Sequence, residues 1–257
     1  MIPTFEFLGK EYSAYMICVA IGIFVAGPLA LTRIKDPVKR IDYLTVLLIS
    51  TIGVVIGGSL LFALTNIRTI IKLISDGAGI MAILMQFTGS VFYGGMIGGV
   101  FAGWLFSTLK KYPTAEFMDA TALFIPLFHV FGRIGCFLAG CCYGVPCDIG
   151  FVYHYSPVPI ANEIRRFPIQ LAEAFFILII FFVLWFLYKK KTFENKLLYV
   201  YFLSYAPLRF ITEFFRGDEY RGFLLGLSTS QWISILLVIF AASMFIRSKL
   251  IAKKTPA

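Results

Sequence analysis

The run Tyr43-Leu-Thr-Val-Leu-Leu-Ile-Ser-Thr-Ile-Gly-Val-Val-Ile-Gly-Gly-Ser-Leu-Leu-Phe-Ala-Leu64 holds no charged side chain. A helix rises about 1.5 Å per residue and the hydrocarbon core of a bilayer is about 30 Å thick, so a run of this length crosses it. Six more runs read the same way: Tyr12–Leu31, Ser90–Leu109, Asp119–Leu138, Ile169–Tyr188, Leu197–Phe215 and Ser230–Ile246. The first begins after polar residues, lacks a small-residue cleavage site and is too long for a signal h-region, so it reads as a retained helix. The stretch 77–89 is apolar but short and contains glycine, and it reads as a re-entrant or interfacial segment.

Composition agrees. The 257 residues are 59% apolar and only 14% charged, with a mean hydropathy of +0.85. A soluble domain is nearer half apolar and a quarter charged. A soluble enzyme, a disordered chain and a secreted mini-protein are excluded. The apolar residues come in blocks rather than alternating with polar ones, which argues against a membrane β-barrel. The expectation is an all-α integral membrane protein of about seven transmembrane helices. Residues 1–257 form one polytopic membrane domain, with a short outer loop at 139–166.

The net charge of +9 reads as loop charge that orients helices, and implies no nucleic acid. Alternate loops carry Arg33, Lys35, Lys39 and Arg40, then Lys110 and Lys111, then Lys189, Lys190, Lys191 and Lys196, then Arg247, Lys249, Lys253 and Lys254. The other face has only Lys10, Arg68, Lys72, Arg165, Arg166, Arg216 and Arg221. Basic loops stay in the cytoplasm. The N-terminus is therefore expected outside and the C-terminus inside.

Two basic residues remain, Arg133 and Arg209, and both fall within predicted spans near their outer ends. An arginine at membrane depth costs roughly 2.5–3.5 kcal/mol on insertion scales and is kept only where it faces protein, water or an anion. One reading pairs each with a buried acid, for instance Arg209 with Glu213 one turn on. The other makes them a paired site for a lipid phosphate, whose oxygens match the planar guanidinium fork. Polar residues gather at the same depth. His129 lies one turn from Arg133 and reads either as a satisfied core histidine or as a functional one. Tyr93 reads as a belt tyrosine or a site residue. Gln170 and Glu173 share a helix face, and Glu173 reads as packed or functional. The close glycines Gly94, Gly95, Gly98 and Gly99 are explained most simply by helix packing. Asp119 reads as a helix start.

Four of the five cysteines fall within Cys136-Phe-Leu-Ala-Gly-Cys141-Cys142-Tyr-Gly-Val-Pro-Cys147. An outward location permits disulfides. Packed thiols, a reactive thiol and a metal site are the alternatives, although the spacing is unlike that of a zinc finger.

Gly132-Arg133-Ile-Gly-Cys136-Phe-Leu-Ala-Gly140 resembles the glycine-arginine signature of the prolipoprotein diacylglyceryl transferase family. Phe92–Gly99 resembles that family's histidine-glycine-glycine segment, and Arg166–Glu173 its arginine-x-proline-x-glutamine-leucine-x-glutamate stretch. Tyr205–Arg216 is similar to its tyrosine-x-x-x-arginine segment, and Ser228–Gln231 to its final serine-x-x-glutamine. The resemblance implies an enzyme of the bacterial plasma membrane, with its active site facing the outer half of the bilayer. It would move the diacylglyceryl group of phosphatidylglycerol to the lipobox cysteine of a prolipoprotein signal segment and release glycerol phosphate, with no cofactor. Arg133 and Arg209 would be catalytic, with Tyr93 or His129 as the base. Gly94, Gly95, Gly132, Gln170, Glu173, Tyr205, Glu213, Arg216 and Gln231 would bind substrate. The chain departs from the family pattern in three places. Tyr93 stands for the histidine, Cys136 for an asparagine and Cys141 for an acid. Two other readings stay open: a transferase using the same donor on a different outer-leaflet acceptor, such as a glycolipid or glycan hydroxyl, and a non-catalytic lipid-binding or transport protein.

Overall fold

The computed structural model describes residues 3–7, 9–218 and 223–254, with the side chains of 7 and 248–254 outside the description. Arg221 and the side chains of Lys249, Lys253 and Lys254, counted above as loop charge, therefore lie outside the described residues. Nine α-helices are described: α1 (Ala14–Leu31), α2 (Pro37–Thr65), α3 (Ile67–Ser75), α4 (Ile80–Leu84), α5 (Phe92–Leu109), α6 (Thr114–Ala139), α7 (Ile169–Lys189), α8 (Leu197–Thr212) and α9 (Thr229–Lys254). The strands form three small antiparallel pairs: β1 (Thr4–Phe7) with β2 (Lys10–Ser13), β3 (Pro146–Val152) with β4 (Arg165–Arg166), and β5 (Phe223–Leu224) with β6 (Leu227–Ser228). Six helices, α1, α2, α5, α6, α7 and α9, are long and apolar enough to cross a membrane. The seventh expected span, Leu197–Phe215, is a 16-residue helix, α8, followed by a tighter 3-10 turn at Glu213–Phe215. The chain is an all-α integral membrane protein.

Two compact units divide the chain: residues 34–118 with 221–233, and the remainder. In the smaller unit, Asp36 caps α2. Its carboxylate accepts the amide of Val38 at 2.8 Å, and Pro37 supplies the first helical turn. Helices α2 and α5 then lie against each other along a seam of small residues. A Cβ on Gly53 or Gly57 would meet the backbone of Gly98 or Gly94, and Gly103 faces Ser50. Lipid offers no hydrophobic reason for helices to associate, so close backbone approach supplies the contact. Lys39 reaches Glu116 at 3.1 Å at the foot of this unit.

In the larger unit, α1, α6 and α7 share a cluster built on Ala26, Leu127 and Phe181, with Phe124, Phe128, Phe131 and Trp185 around it. Arg33 stacks over Trp185 at 4.6 Å. Outward-facing apolar side chains such as Phe24 (78% exposed) and Phe182 suit a lipid environment. The sequence expects Asp119 to start a helix, but α6 begins earlier, at Thr114. Asp119 instead accepts the amides of Asn195 at 2.5 Å and Leu197 at 2.9 Å. It therefore satisfies donors at the opening of α8 that no intrahelical carbonyl can reach.

Candidate active site

The larger unit gathers a buried charge cluster from three helices. Arg133 is on α6, Glu173 on α7, Arg209 on α8 and Glu213 in the turn that follows α8. Each is 8% exposed or less. Arg133 Nε lies 2.7 Å from Glu173 Oε2, and Arg209 Nη1 lies 3.2 Å from Glu173 Oε1. Two arginines thus hold one carboxylate. Arg209 Nη2 also pairs with Glu213 at 2.5 Å, one turn on. Thr212 donates its hydroxyl to Glu173 Oε1 at 2.8 Å. Of the two readings raised by the sequence, the structure shows the pairing with buried acids: Arg133 meets Glu173, and Arg209 meets Glu173 and Glu213. Burial of charges at this depth is sustained only by such mutual pairing. The break in α8 contributes. Pro207 lies within the helix, and the chain tightens at Glu213–Phe215, which presents Arg209, Thr212 and Glu213 together.

His129 and Tyr205 pack edge to face, with ring centroids 5.3 Å apart, and Tyr205 stacks on Tyr201. Both are buried, and both sit in the field of Arg133.

A second group of residues shapes the loop at 139–166. Helix α6 ends where Gly140 takes a left-handed φ of +70°, and the Cys141 amide turns back to the Cys136 carbonyl at 3.1 Å. Cys142 also has positive φ, +56°. The turn brings the sulfurs of Cys136, Cys141 and Cys142 within 4.8 Å of one another, half-buried. All five cysteines are free thiols. Gln170 donates to the Cys141 carbonyl at 2.7 Å and to the Tyr153 hydroxyl at 3.0 Å, so its amide holds this turn. Arg166, read from sequence as loop charge, is buried. It donates to the carbonyls of Ile160 (2.5 Å), Ala161 (3.3 Å) and Gly144 (3.3 Å) and lies over the Tyr143 ring. Residues 143–145 pair with 215–217, through Val145 N to Phe215 O at 3.0 Å and Gly217 N to Tyr143 O at 2.9 Å. This pairing sets Arg216 against Cys142. Arg216 forms a two-point ion pair with Asp218, at 3.1 and 2.8 Å. Hydrogen bonds from the Cys136 and Cys141 thiols, together with the Arg216 guanidinium, hold the Cys142 thiol well below the usual range for a thiol.

The structure therefore brings Arg133, Arg209, Glu173, Glu213, His129 and Tyr205 together, and ties Gln170 and Arg216 to the adjoining loop. Gly132 precedes Arg133, and a Cβ there would meet nothing within 4 Å. Tyr93, Gly94 and Gly95 open α5 in the smaller unit, where they are buried and the glycines face α2. Gln231 is also in that unit, and its side chain accepts from the Ser228 amide at 2.9 Å. The sequence reading missed Thr212, Tyr153 and Asp218. No local pattern marks them, because their partners come from other helices and loops.

Membrane-crossing helices around two buried arginines that share a carboxylate define a polytopic membrane protein with an internal charged cluster. A profile described as prolipoprotein diacylglyceryl transferase matches residues 4–247, and the chain belongs to that family of membrane transferases. Similar relatives are each named phosphatidylglycerol–prolipoprotein diacylglyceryl transferase. The protein of Clostridium tetani is 35% identical over 94% of this chain and 95% of its own length. The Clostridium perfringens protein, whose name carries the numeral 2, is 32% identical over 97% and 96%. The Helicobacter pylori protein is 30% identical over 98% and 94%.

Proposed function

We propose that this chain transfers the diacylglyceryl group of phosphatidylglycerol to the lipobox cysteine thiol of a prolipoprotein and releases glycerol phosphate. The observation that carries this reading is the meeting of Arg133 and Arg209 on Glu173. In the reaction a C–S bond forms at the glyceryl carbon as its C–O bond to phosphate breaks. The electron pair leaves on the phosphate oxygen. Two preoriented guanidinia stabilise that growing charge, and in a site shielded from water they cost no reorganisation. Glu173 sets the spacing of the two forks, and Thr212 holds Glu173. The acceptor must attack as thiolate. Tyr93 and His129 are assigned as its proton acceptors, with Tyr93 preferred because it occupies the family's histidine position. The loop basicity supports a cytoplasmic side beside Lys110–Lys111 and Lys189–Lys191, and with it a site facing the outer half of a bacterial plasma membrane.

The test is turnover in phosphatidylglycerol vesicles. Arg209→Lys keeps the charge and loses the fork, and its rate should fall at least about tenfold, since a charge-assisted contact is worth on the order of 1.5–3 kcal/mol. Folded Arg133→Gln and Arg209→Gln proteins with near-normal rates would remove the arginines from the site.

A further inference from the structure

We propose that Cys136, Cys141 and Cys142 form a three-thiolate site for a soft divalent metal, zinc by chemistry, whose open fourth position takes the acceptor's cysteine thiol. The inference rests on the transferase reading above and deepens it by naming what prepares the acceptor.

Three sulfurs lie within 4.8 Å of one another at the end of α6. Zinc–sulfur bonds of about 2.3 Å in a tetrahedron place sulfurs about 3.8 Å apart, so ligation needs side-chain adjustments of about 1 Å. The turn that assembles them is held from several sides. Gly140 and Cys142 supply its left-handed residues, the Cys141 amide closes it onto Cys136, and Gln170 fixes the Cys141 carbonyl. A disulfide would use two of the three sulfurs and leave the third. A metal uses all three, and thiolates select soft ions. Three protein ligands with one open position is the arrangement of catalytic rather than structural zinc. The charges also suit it. A zinc ion with three thiolates carries one net negative charge, and the Arg216 guanidinium lies beside Cys142.

The chemistry fits the alkylation of a thiol. A thiol that coordinates the metal loses its proton outright, and that proton passes to solvent buffer. The metal-held sulfur then forms the C–S bond at the glyceryl carbon while the C–O bond breaks toward the phosphate. The thioether product is a weaker ligand than a thiolate and leaves the metal. Cys136 and Cys141, the two departures from the family pattern in this stretch, are thereby accounted for together.

Full-length protein in detergent, stripped with a strong chelator, is titrated with cadmium and followed by the ultraviolet thiolate-to-metal charge-transfer band. Wild type and Cys147→Ser should bind one ion per chain, and zinc should displace it. Cys136→Ser, Cys141→Ser and Cys142→Ser should each lose stoichiometric binding. Because a serine variant can fail to fold, the wild-type titration decides by itself: no stoichiometric band overturns the site. Turnover is read on the same preparations. Stripped wild type should slow at least about tenfold and recover with zinc. Full-rate transfer to a peptide thiol by metal-free protein overturns the metal's role and leaves the transferase reading standing. One bound cadmium with no transfer in any metal state overturns the transferase reading and leaves the metal site standing.

Discussion

Glu173 bears on both chemistry and stability, because two guanidinia and a hydroxyl converge on it inside the protein. Removing one partner from a buried ion pair leaves uncompensated charge and costs about 3–5 kcal/mol. Glu173→Ala should lower the unfolding free energy in detergent by that order, and a loss below about 1 kcal/mol would contradict the pairing. Glu173→Gln keeps the shape, so its loss of turnover should exceed its loss of stability. The proton acceptor is tested separately. Tyr93→Phe or His129→Gln, assayed across pH, should cost roughly 10²–10⁴ in rate at the residue that acts as base. Wild-type rates and pH profiles in both variants would exclude both. At this scale the sequence shows which residues are out of place in a bilayer and not what they touch. Arg133 and Arg209 stand out because arginine at membrane depth is costly. Glu173 is legible as a candidate, but its pairing with both arginines is not, because 40 residues separate it from Arg133 and 36 from Arg209.

The apolar runs are legible because the bilayer imposes their length, and the described helices begin and end within a few residues of most of them. The exceptions have physical causes. Helix α6 extends back to Thr114 because its lead-in is anchored by Phe117, which is buried against the rings of Tyr43 and Tyr112. The Leu197–Phe215 run is broken at Glu213, where the site needs side chains presented together. The loop at 139–166 reads as a simple connection, yet Arg166 clasps three of its carbonyls, an arrangement that only the folded loop reveals. The glycine pattern of α5 announces close packing, and α2 supplies the matching glycines. Gly98→Ala would push a methyl into the Gly53 backbone, and overpacking of this kind costs about 1–3 kcal/mol. Gly27→Ala on α1 meets nothing within 4 Å, so it should be neutral or stabilising by about 0.5–1 kcal/mol. Parallel unfolding measurements check the pair, and equal effects would contradict the seam.

For the whole molecule, charge asymmetry predicts an orientation, and orientation decides which substrates can arrive. An impermeant amine or thiol label applied to intact spheroplasts should reach Cys147 and spare Lys189–Lys191. Labelling of those lysines from outside would invert the topology. The most direct measurement of the account is transfer in reconstituted vesicles, using phosphatidylglycerol labelled separately in its acyl chains and its headgroup, with a lipobox peptide as acceptor. The predicted result is acyl label joined to the peptide through its cysteine sulfur, with an equal amount of headgroup label released as glycerol phosphate. Headgroup label carried to the peptide, acyl label found only on a hydroxyl acceptor, or lipid bound with neither half released would contradict it.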